Sequence, residues 1–240
     1  MVWSNFNLGD LTAVTSFDSV VKELNELNGY FSQNNMENYL VFNNAYRVVT
    51  LNIKASVIDG HFDNDQFTEN FTAGFARYYF RALSQISTED PNIAESWKKF
   101  AEAATEDTLP KFILLLMGAN AHINHDLPYI LLKFIDEGEV MPLLGDLVKL
   151  DRIMMKSGRQ IIPLFNEHSR MLNTFKNRFQ FLYYRPIMYT VLSWRIVAWR
   201  AFKHMSAGNP GYRVHIKRSK RIAQRYLVMG KLLGRIWAGT

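Results

Sequence analysis

Apolar side chains recur three or four residues apart along most of this chain, and this spacing constrains the fold more than any other feature. The clearest case runs from Phe67 through Phe75 to Tyr79 and lines one face of a helix. Asp63 and Gln66 stand before this run with the spacing of a capping box. With 240 residues the chain can bury a substantial core. The pattern predicts an all-α fold, a single-domain bundle of several helices.

The segment from Met36 to Asp59 is ambiguous, because several of its apolar residues alternate as they would in a strand. A helix is favoured, since no turn residue interrupts the segment before Gly60. Further along, the pattern predicts one or two long helices between Leu143 and Phe175 and another helix opened by Pro186. We therefore expect helices, without paired strands, along the chain.

A central helix is predicted to begin near Thr108. Residues 112–117 are apolar on every side of this helix, which is typical of a helix buried in the middle of a domain. Pro128 has no N–H group and is expected to kink or end the helix. The carbonyl of Asn124 would then lose its helical partner and form part of a small polar pocket.

His122, His125 and Asp126 interrupt this apolar helix with ionisable side chains. At about 100° per residue they fall within an arc of about 100° on one face. The three could be ligands of a metal such as zinc, iron or manganese. They could equally form a catalytic site in which Asp126 orients His122 as a general base and His125 is a second donor. The alternative is a buried hydrogen-bond network that only ties the helix to its neighbours.

Four further residues are candidates for binding a ligand near this cluster. Asn120 and Asn124 lie on the other side of the same helix. Arg77 stands between apolar positions, and if buried it would need a carboxylate such as Asp126. Tyr46 could donate a hydrogen bond inward, although a plain core position is the simpler explanation for it.

The chain contains no cysteine, which excludes haem-thiolate, iron–sulfur and disulfide chemistry. A divalent metal held by His, Asp or Glu is compatible with the sequence, and the cofactor is otherwise unknown. Residues 1–10 lack a secretory signal, and the longest central apolar run is too short to span a bilayer. We therefore expect a cytoplasmic protein.

The excess positive charge lies in the last third of the chain. All 22 acidic residues precede His168, whereas the 73 residues from His168 onward carry 15 Lys and Arg. Gly208 to Gly211 form a turn signal. The expected organisation is a helical domain over residues 1–208 and a basic amphipathic helix over 209–240, packed on that domain or appended to it.

Three explanations for the basic charge are ranked in order. The first is that the basic helices pack on the acidic ones. The second is that residues 213–237 lie on an anionic membrane surface, which would place the protein at the periphery of the inner membrane face. Nucleic acid ranks last, because no recognised binding motif accompanies the basic run from Lys217 to Arg221.

The stretch Asn120-Ala-His-Ile-Asn-His-Asp-Leu-Pro128 resembles the signature of domain-of-unknown-function family 5995. Three other stretches are similar to helices of that family: Phe42-Asn43-x-x-Tyr46-x-x-x-Thr50, Phe75-Ala76-x-x-Tyr79-x-x-Ala82-Leu83 and Ala198-Trp199. The resemblance covers roughly residues 35–205 and does not extend beyond Pro210. It implies a helical domain in which Asn120, His122, Asn124 and Asp126 matter together, and it implies no activity.

These features favour an enzyme or ligand-binding domain that acts on a small molecule through His122 and Asp126. The alternative is a non-catalytic, peripherally membrane-associated helical protein whose polar cluster is structural. The sequence leaves the substrate, the reaction class and the oligomeric state open.

Overall fold

The structure, a computed structural model, describes residue 3 and residues 6–136, 144–161 and 180–238. After a short 3₁₀ helix, the α-helices are α1 (Phe17–Gln33), α2 (Glu37–Ile58), α3 (Asp65–Ser87), α4 (Glu95–Ala104), α5 (Lys111–Asn120), α6 (Leu127–Asp136), α7 (Leu144–Ile161), α8 (Gln180–Ser206) and α9 (Tyr212–Ala238). A π-helical segment, Ala121–Asp126, joins α5 to α6. No strand occurs in these residues, which confirms the predicted all-α fold. None of the helices described is long and apolar enough to cross a membrane.

The ambiguous segment between Met36 and Asp59 is a helix, α2, as predicted. Two other boundaries were predicted wrongly or only in part. Helix α8 begins at Gln180 and contains Pro186, because a proline removes one helical bond without always ending the helix. Helix α7 forms the first part of the predicted long helix, and residues 162–175 lie outside the described residues.

Helix α3 begins at a cap different from the predicted one. The side chain of Asn64 accepts a hydrogen bond of 2.8 Å from the N–H of Phe67, so the capping box at Asp63 is wrong. The N–H groups of Asp63 and Asn64 instead donate to the carboxylate of Asp146 on α7, at 2.9 and 2.8 Å. The loop before α3 is thereby fixed to the start of α7.

Helix α5, the π-helical segment and α6 form a continuous central rod. Helices α2, α3, α4, α8 and α9 all pack against it, which buries most of its side chains. The chain stays helical across Pro128, which lies in the first turn of α6, where a missing N–H is tolerated. The kink expected at this proline stays a prediction.

Helix α9 packs on the rod and on α4. The approach is close at Gly234, where an added Cβ would lie 2.4 Å from the carbonyl oxygen of Thr108. Lys220 pairs with Glu95 at 3.1 Å, and Lys231 pairs with Glu106 at 2.8 Å. Part of the basic charge of α9 therefore faces acidic residues of the same chain.

Candidate functional site

The π-helical segment places the polar cluster inside the core. The N–H of Leu127 donates to the carbonyl of His122, five residues back, instead of the usual four. The next residue, Pro128, has no N–H, so the ordinary helical bond to the carbonyl of Asn124 cannot form. Short π-helical turns are rare in proteins as a whole, and those that occur often lie at functional sites. The turn therefore marks this part of the rod as a candidate site.

The carboxylate of Asp126 lies at the centre of the cluster and is 3% exposed. Its Oδ2 accepts hydrogen bonds of 3.0 Å from Nδ1 of His122 and from the indole Nε1 of Trp97. Its Oδ1 accepts a bond of 2.9 Å from Nδ1 of His125. Burial acts to raise the pKa of Asp126, but the bonds from His122 and His125 outweigh it and hold this pKa below its ordinary value. The carboxylate is therefore ionised at neutral pH.

This carboxylate determines which nitrogen of His122 carries the hydrogen. Because an ionised carboxylate only accepts, Nδ1 of His122 is the donor. Burial lowers the pKa of His122, more than Asp126 raises it, so the ring is neutral and Nε2 has a free lone pair. This nitrogen is buried and has no hydrogen-bond partner among the described residues. Leaving an acceptor unpaired in the core costs about 1–3 kcal/mol, so Nε2 is a candidate to bind a donor from another molecule.

Aromatic rings hold the imidazole of His122 in place. Phe75 stacks on it, with ring centroids 3.7 Å apart and planes at 10°. Tyr46 meets it edge to face, with centroids 4.9 Å apart. Phe42 and Trp97 also lie within ring-contact distance. The orientation of the imidazole is thus fixed on several sides as well as by Asp126.

A cavity of about 130 Å³ lies beside His122. Most of its lining is apolar and includes Phe42, Phe71, Leu116, Ile123, Leu150 and Val191. Among the described residues, only Tyr46, Thr72, His122 and Arg195 contribute polar side chains to the lining. The hydroxyl of Thr72 already donates to the carbonyl of Thr68 at 2.8 Å. Three polar side chains are therefore candidates to contact a bound molecule.

The hydroxyl of Tyr46 resembles Nε2 of His122 in its surroundings. It is buried and has no hydrogen-bond partner in the part of the chain that the structure describes. Burial raises the pKa of Tyr46, and the negative charge of Asp126 raises it further. The hydroxyl therefore keeps its proton and can donate a hydrogen bond to an acceptor in the cavity.

Arg195, on α8, brings a positive charge to the same cavity. Its side chain is 13% exposed, and its Nε forms an ion pair with Oδ1 of Asp151 on α7. Burial raises the pKa of Asp151, although the guanidinium opposes the shift. The charge of Arg195 also contributes to the lowered pKa of His122, so the two side chains are close enough to interact electrostatically.

The model of one protein family, described as "Family of unknown function (DUF5995)", matches residues 17–235. The chain belongs to this family. The match confirms the predicted resemblance and is wider than the expected residues 35–205, since it runs past Pro210 and through most of α9. No curated protein and no solved structure is significantly similar to the chain.

In this DUF5995 member, the predicted site residues divide into two groups. His122, His125 and Asp126 meet, as their spacing indicated, and Tyr46 lies against His122. Of these four, Tyr46 and His122 line the cavity, whereas Asp126 and His125 lie behind them. His125 is a donor to Asp126, and its side chain is 22% exposed.

The second group, Asn120, Asn124 and Arg77, lies away from the cavity. The side chain of Asn124 donates to Asn120 at 2.9 Å, and Asn120 donates to the carbonyl of Ser219 on α9 at 3.0 Å. Arg77 is half-buried on α3, and none of the hydrogen bonds to Asp126 comes from it. None of these predicted ligand-binding residues lines the cavity. The two asparagines join the rod to α9 instead.

The geometry gives no support to a metal bound by His122, His125 and Asp126. Nδ1 of each histidine is already bonded to an oxygen of Asp126. Within the described ranges, no three His, Asp or Glu side chains are placed to hold one ion. The metal site therefore stays a prediction, and the proposals below do not use it.

Sequence reasoning missed three contributors to the site. The sequence gives no indication of the roles of Trp97 and Phe75, because an aromatic ring at a helical position gives no sign of a polar partner. Arg195 interrupts an apolar stretch of α8, and this interruption was a usable signal of a functional arginine. Its neighbours could not be predicted, since they come from α2, α7 and the rod.

Proposed function

We propose that this chain binds a small, mainly apolar molecule that carries one hydroxyl group, and that His122 accepts the proton of that group. The observation behind the proposal is the buried Nε2 of His122, which has no partner in the described part of the chain and lies at the wall of an apolar cavity. Asp126 fixes the opposite side of the imidazole, as expected for a general base and its orienting carboxylate.

The size of the cavity limits the ligand. An engineered apolar cavity of about 150 Å³ in another protein holds one benzene molecule. The cavity here is about 130 Å³ by a comparable measure, so its ligand is about as large as a six-membered ring. Its apolar walls favour a hydrocarbon or aromatic body over a sugar or nucleotide.

Two side chains bind the hydroxyl group in this proposal. The ligand hydroxyl donates to Nε2 of His122 and accepts a hydrogen bond from the hydroxyl of Tyr46. As the proton moves to His122, negative charge grows on the ligand oxygen, and Tyr46 stabilises it through its bond. The carboxylate of Asp126 stabilises the imidazolium that forms. Asp126 is therefore a positioning residue and does not contact the ligand.

Phenol is a suitable probe, with benzene as the comparison. Phenol should raise the melting temperature, by an amount that grows with the logarithm of its concentration once the site is saturated. It should bind at least about tenfold more tightly than benzene because of its hydroxyl. Tyr46→Phe should remove most of this difference. Tyr79→Phe is the matched control, because Tyr79 is also buried near His122 but does not line the cavity. Absence of phenol binding, or equal losses in both variants, would refute the proposal.

Proton transfer has a separate spectroscopic test. Ultraviolet difference spectra distinguish bound phenol from bound phenolate, and fluorinated phenols of decreasing pKa provide a series of similar size. If His122 accepts the proton, the more acidic phenols should bind as phenolates at a pH where they are neutral in solution. His122→Gln should abolish this conversion, whereas conversion that persists in the variant would exclude His122 as the acceptor.

We propose a second function, association with an anionic membrane surface, from a separate observation. The solvent-facing side of α9 carries exposed basic residues between exposed apolar ones: Arg213, Val214, Lys217, Arg218, Arg221, Arg225, Val228, Leu232 and Arg235. None of the five arginines has an acidic partner in the described structure. Such a helix face suits the interface of anionic lipid, where each basic residue contributes about 1 kcal/mol. It would place the protein at the cytoplasmic face of a membrane.

Vesicle flotation tests this second function. The protein should float with vesicles that contain phosphatidylglycerol and not with pure phosphatidylcholine vesicles. Changing Arg218, Arg221 and Arg225 to Gln should reduce flotation strongly. A matched triple change to Gln at Arg152, Lys156 and Arg159, exposed basic residues of α7, should have little effect. Equal flotation of both triple variants would refute a role for α9.

A further inference from the structure

The guanidinium group of Arg195 has N–H donors that its ion pair does not use. A guanidinium group presents five N–H donors in a planar fork, and the ion pair of Arg195 with Asp151 uses Nε. The two terminal nitrogen atoms have no partner among the residues that the structure describes. Arg195 nevertheless lines the cavity beside largely apolar side chains. An arginine in this position is suited to bind an anionic group of a ligand through its terminal nitrogens.

Asp151 neutralises Arg195 without occupying the cavity. It belongs to α7, its side chain is 27% exposed, and it is absent from the cavity lining. Asp151 therefore approaches the guanidinium from outside the cavity, and the cavity side is left for a second carboxylate. Because Arg195 keeps some exposure to solvent, a carboxylate bound there would not be fully desolvated.

We infer that the ligand is a small ring-sized hydroxycarboxylic acid, whose carboxylate binds the terminal nitrogens of Arg195 and whose hydroxyl binds His122 and Tyr46. This inference rests on the proposed function and names its substrate class. The hydroxyl and the carboxylate would occupy two polar places in one apolar cavity. The carboxylate adds recognition at Arg195, and the proton transfer remains at His122.

Binding measurements with four probes test the inference. Phenol carries the hydroxyl only, benzoate carries the carboxylate only, and 3- and 4-hydroxybenzoate carry both at two different separations. At least one hydroxybenzoate should bind the native chain about tenfold or more tightly than phenol, the size expected for a hydrogen bond to a charged group. It should also bind more tightly than benzoate.

Two variants locate the source of this gain. Asp151→Asn removes the competing negative charge, so hydroxybenzoate should bind several-fold more tightly while phenol binding stays unchanged. Adding Arg195→Met to Asp151→Asn should reduce hydroxybenzoate binding to the level of phenol. The double variant avoids an unpaired charge at Asp151, so it should remain folded, and phenol binding confirms that its cavity is intact.

The outcomes separate this inference from the function it rests on. If phenol does not bind the native chain, the proposed function fails. If phenol binds but neither hydroxybenzoate binds more tightly, the cavity takes a neutral ligand and the inference is overturned. It is also overturned if the gain persists in the double variant, because the carboxylate would then bind elsewhere.

Discussion

The indole Nε1 of Trp97 donates a hydrogen bond of 3.0 Å to Oδ2 of Asp126, the oxygen that also receives Nδ1 of His122. Trp97 is 1% exposed and Asp126 is 3% exposed, so this bond is shielded from water. A hydrogen bond to a charged group contributes about 1.5–3 kcal/mol. The bond therefore connects α4 to the central rod and restricts the carboxylate that positions His122.

Trp97→Phe removes this donor together with some core volume. We expect the free energy of unfolding to fall by about 2–4 kcal/mol, because the carboxylate loses a bond and the core gains a small void. Urea unfolding of the native chain and the variant measures the change. Trp194→Phe is the control, since Trp194 is 3% exposed and its indole gives no bond to a carboxylate within the described residues. Equal losses in the two variants would show that the bond adds no stability.

The stability of the fold should fall with decreasing pH because His122 is buried in its neutral form. The pKa of His122 is lower in the folded chain than its unfolded value of about 6.5. Its contribution to stability is therefore complete above about pH 6.5 and is lost as the pH falls toward the folded pKa. The slope from one such group is at most about 1.4 kcal/mol per pH unit.

Urea midpoints measured between about pH 7.5 and 5 test this dependence. His122→Gln should flatten the decline, whereas His61→Gln, at an exposed loop position, should leave it as in the native chain. Asp126 affects stability at lower pH than His122 does. Because its pKa is depressed in the folded chain, its contribution to the free energy of unfolding is lost only as the pH falls below about 4. An unchanged slope in His122→Gln would contradict the neutral state assigned to His122.

The sequence predicted the helical fold and the meeting of His122 with Asp126, because both follow from local spacing. Apolar periodicity depends on neighbours three and four residues away, and so does the contact between residues 122 and 126. The contact between His125 and Asp126 was less predictable. Adjacent side chains diverge on an α-helix. Within the π-helical segment, however, Nδ1 of His125 bonds to the carboxylate of the next residue, Asp126.

Arg77 and Arg195 show what the spacing of residues within one helix can and cannot predict. Arg77 was expected near Asp126 because it lies inside an apolar stripe, but such a stripe fixes only which face of a helix is buried. The cavity arginine, Arg195, comes from α8, and its position depends on how α8 packs against α7 and the rod. Spacing within one helix carries no information about that packing. The cavity could not be predicted for the same reason, because it forms where several helices pack together.

Tyr46→Phe and Tyr79→Phe should change stability in opposite directions. The hydroxyl of Tyr46 is buried and has no partner within residues 6–136, 144–161 and 180–238 that the structure describes, so its removal should raise the free energy of unfolding by about 1 kcal/mol. The hydroxyl of Tyr79 donates to Oδ1 of Asn43 at 3.2 Å, so its removal should lower stability by about 1 kcal/mol. Chemical denaturation of the two variants gives the signs. A loss in Tyr46→Phe would show that its hydroxyl already has a stabilising role in the free chain.

Gly234→Ala should destabilise the chain if α9 is an integral part of the fold. The new Cβ would lie 2.4 Å from the carbonyl oxygen of Thr108, a backbone atom that cannot turn away as the end of a flexible side chain could. Overpacking of this kind costs about 1–3 kcal/mol. Gly29→Ala is the control, because its Cβ would meet nothing within 4 Å and should add about 0.5–1 kcal/mol of helix stability. Unfolding free energies that rise in both variants would mean that α9 can separate from the rod at little cost.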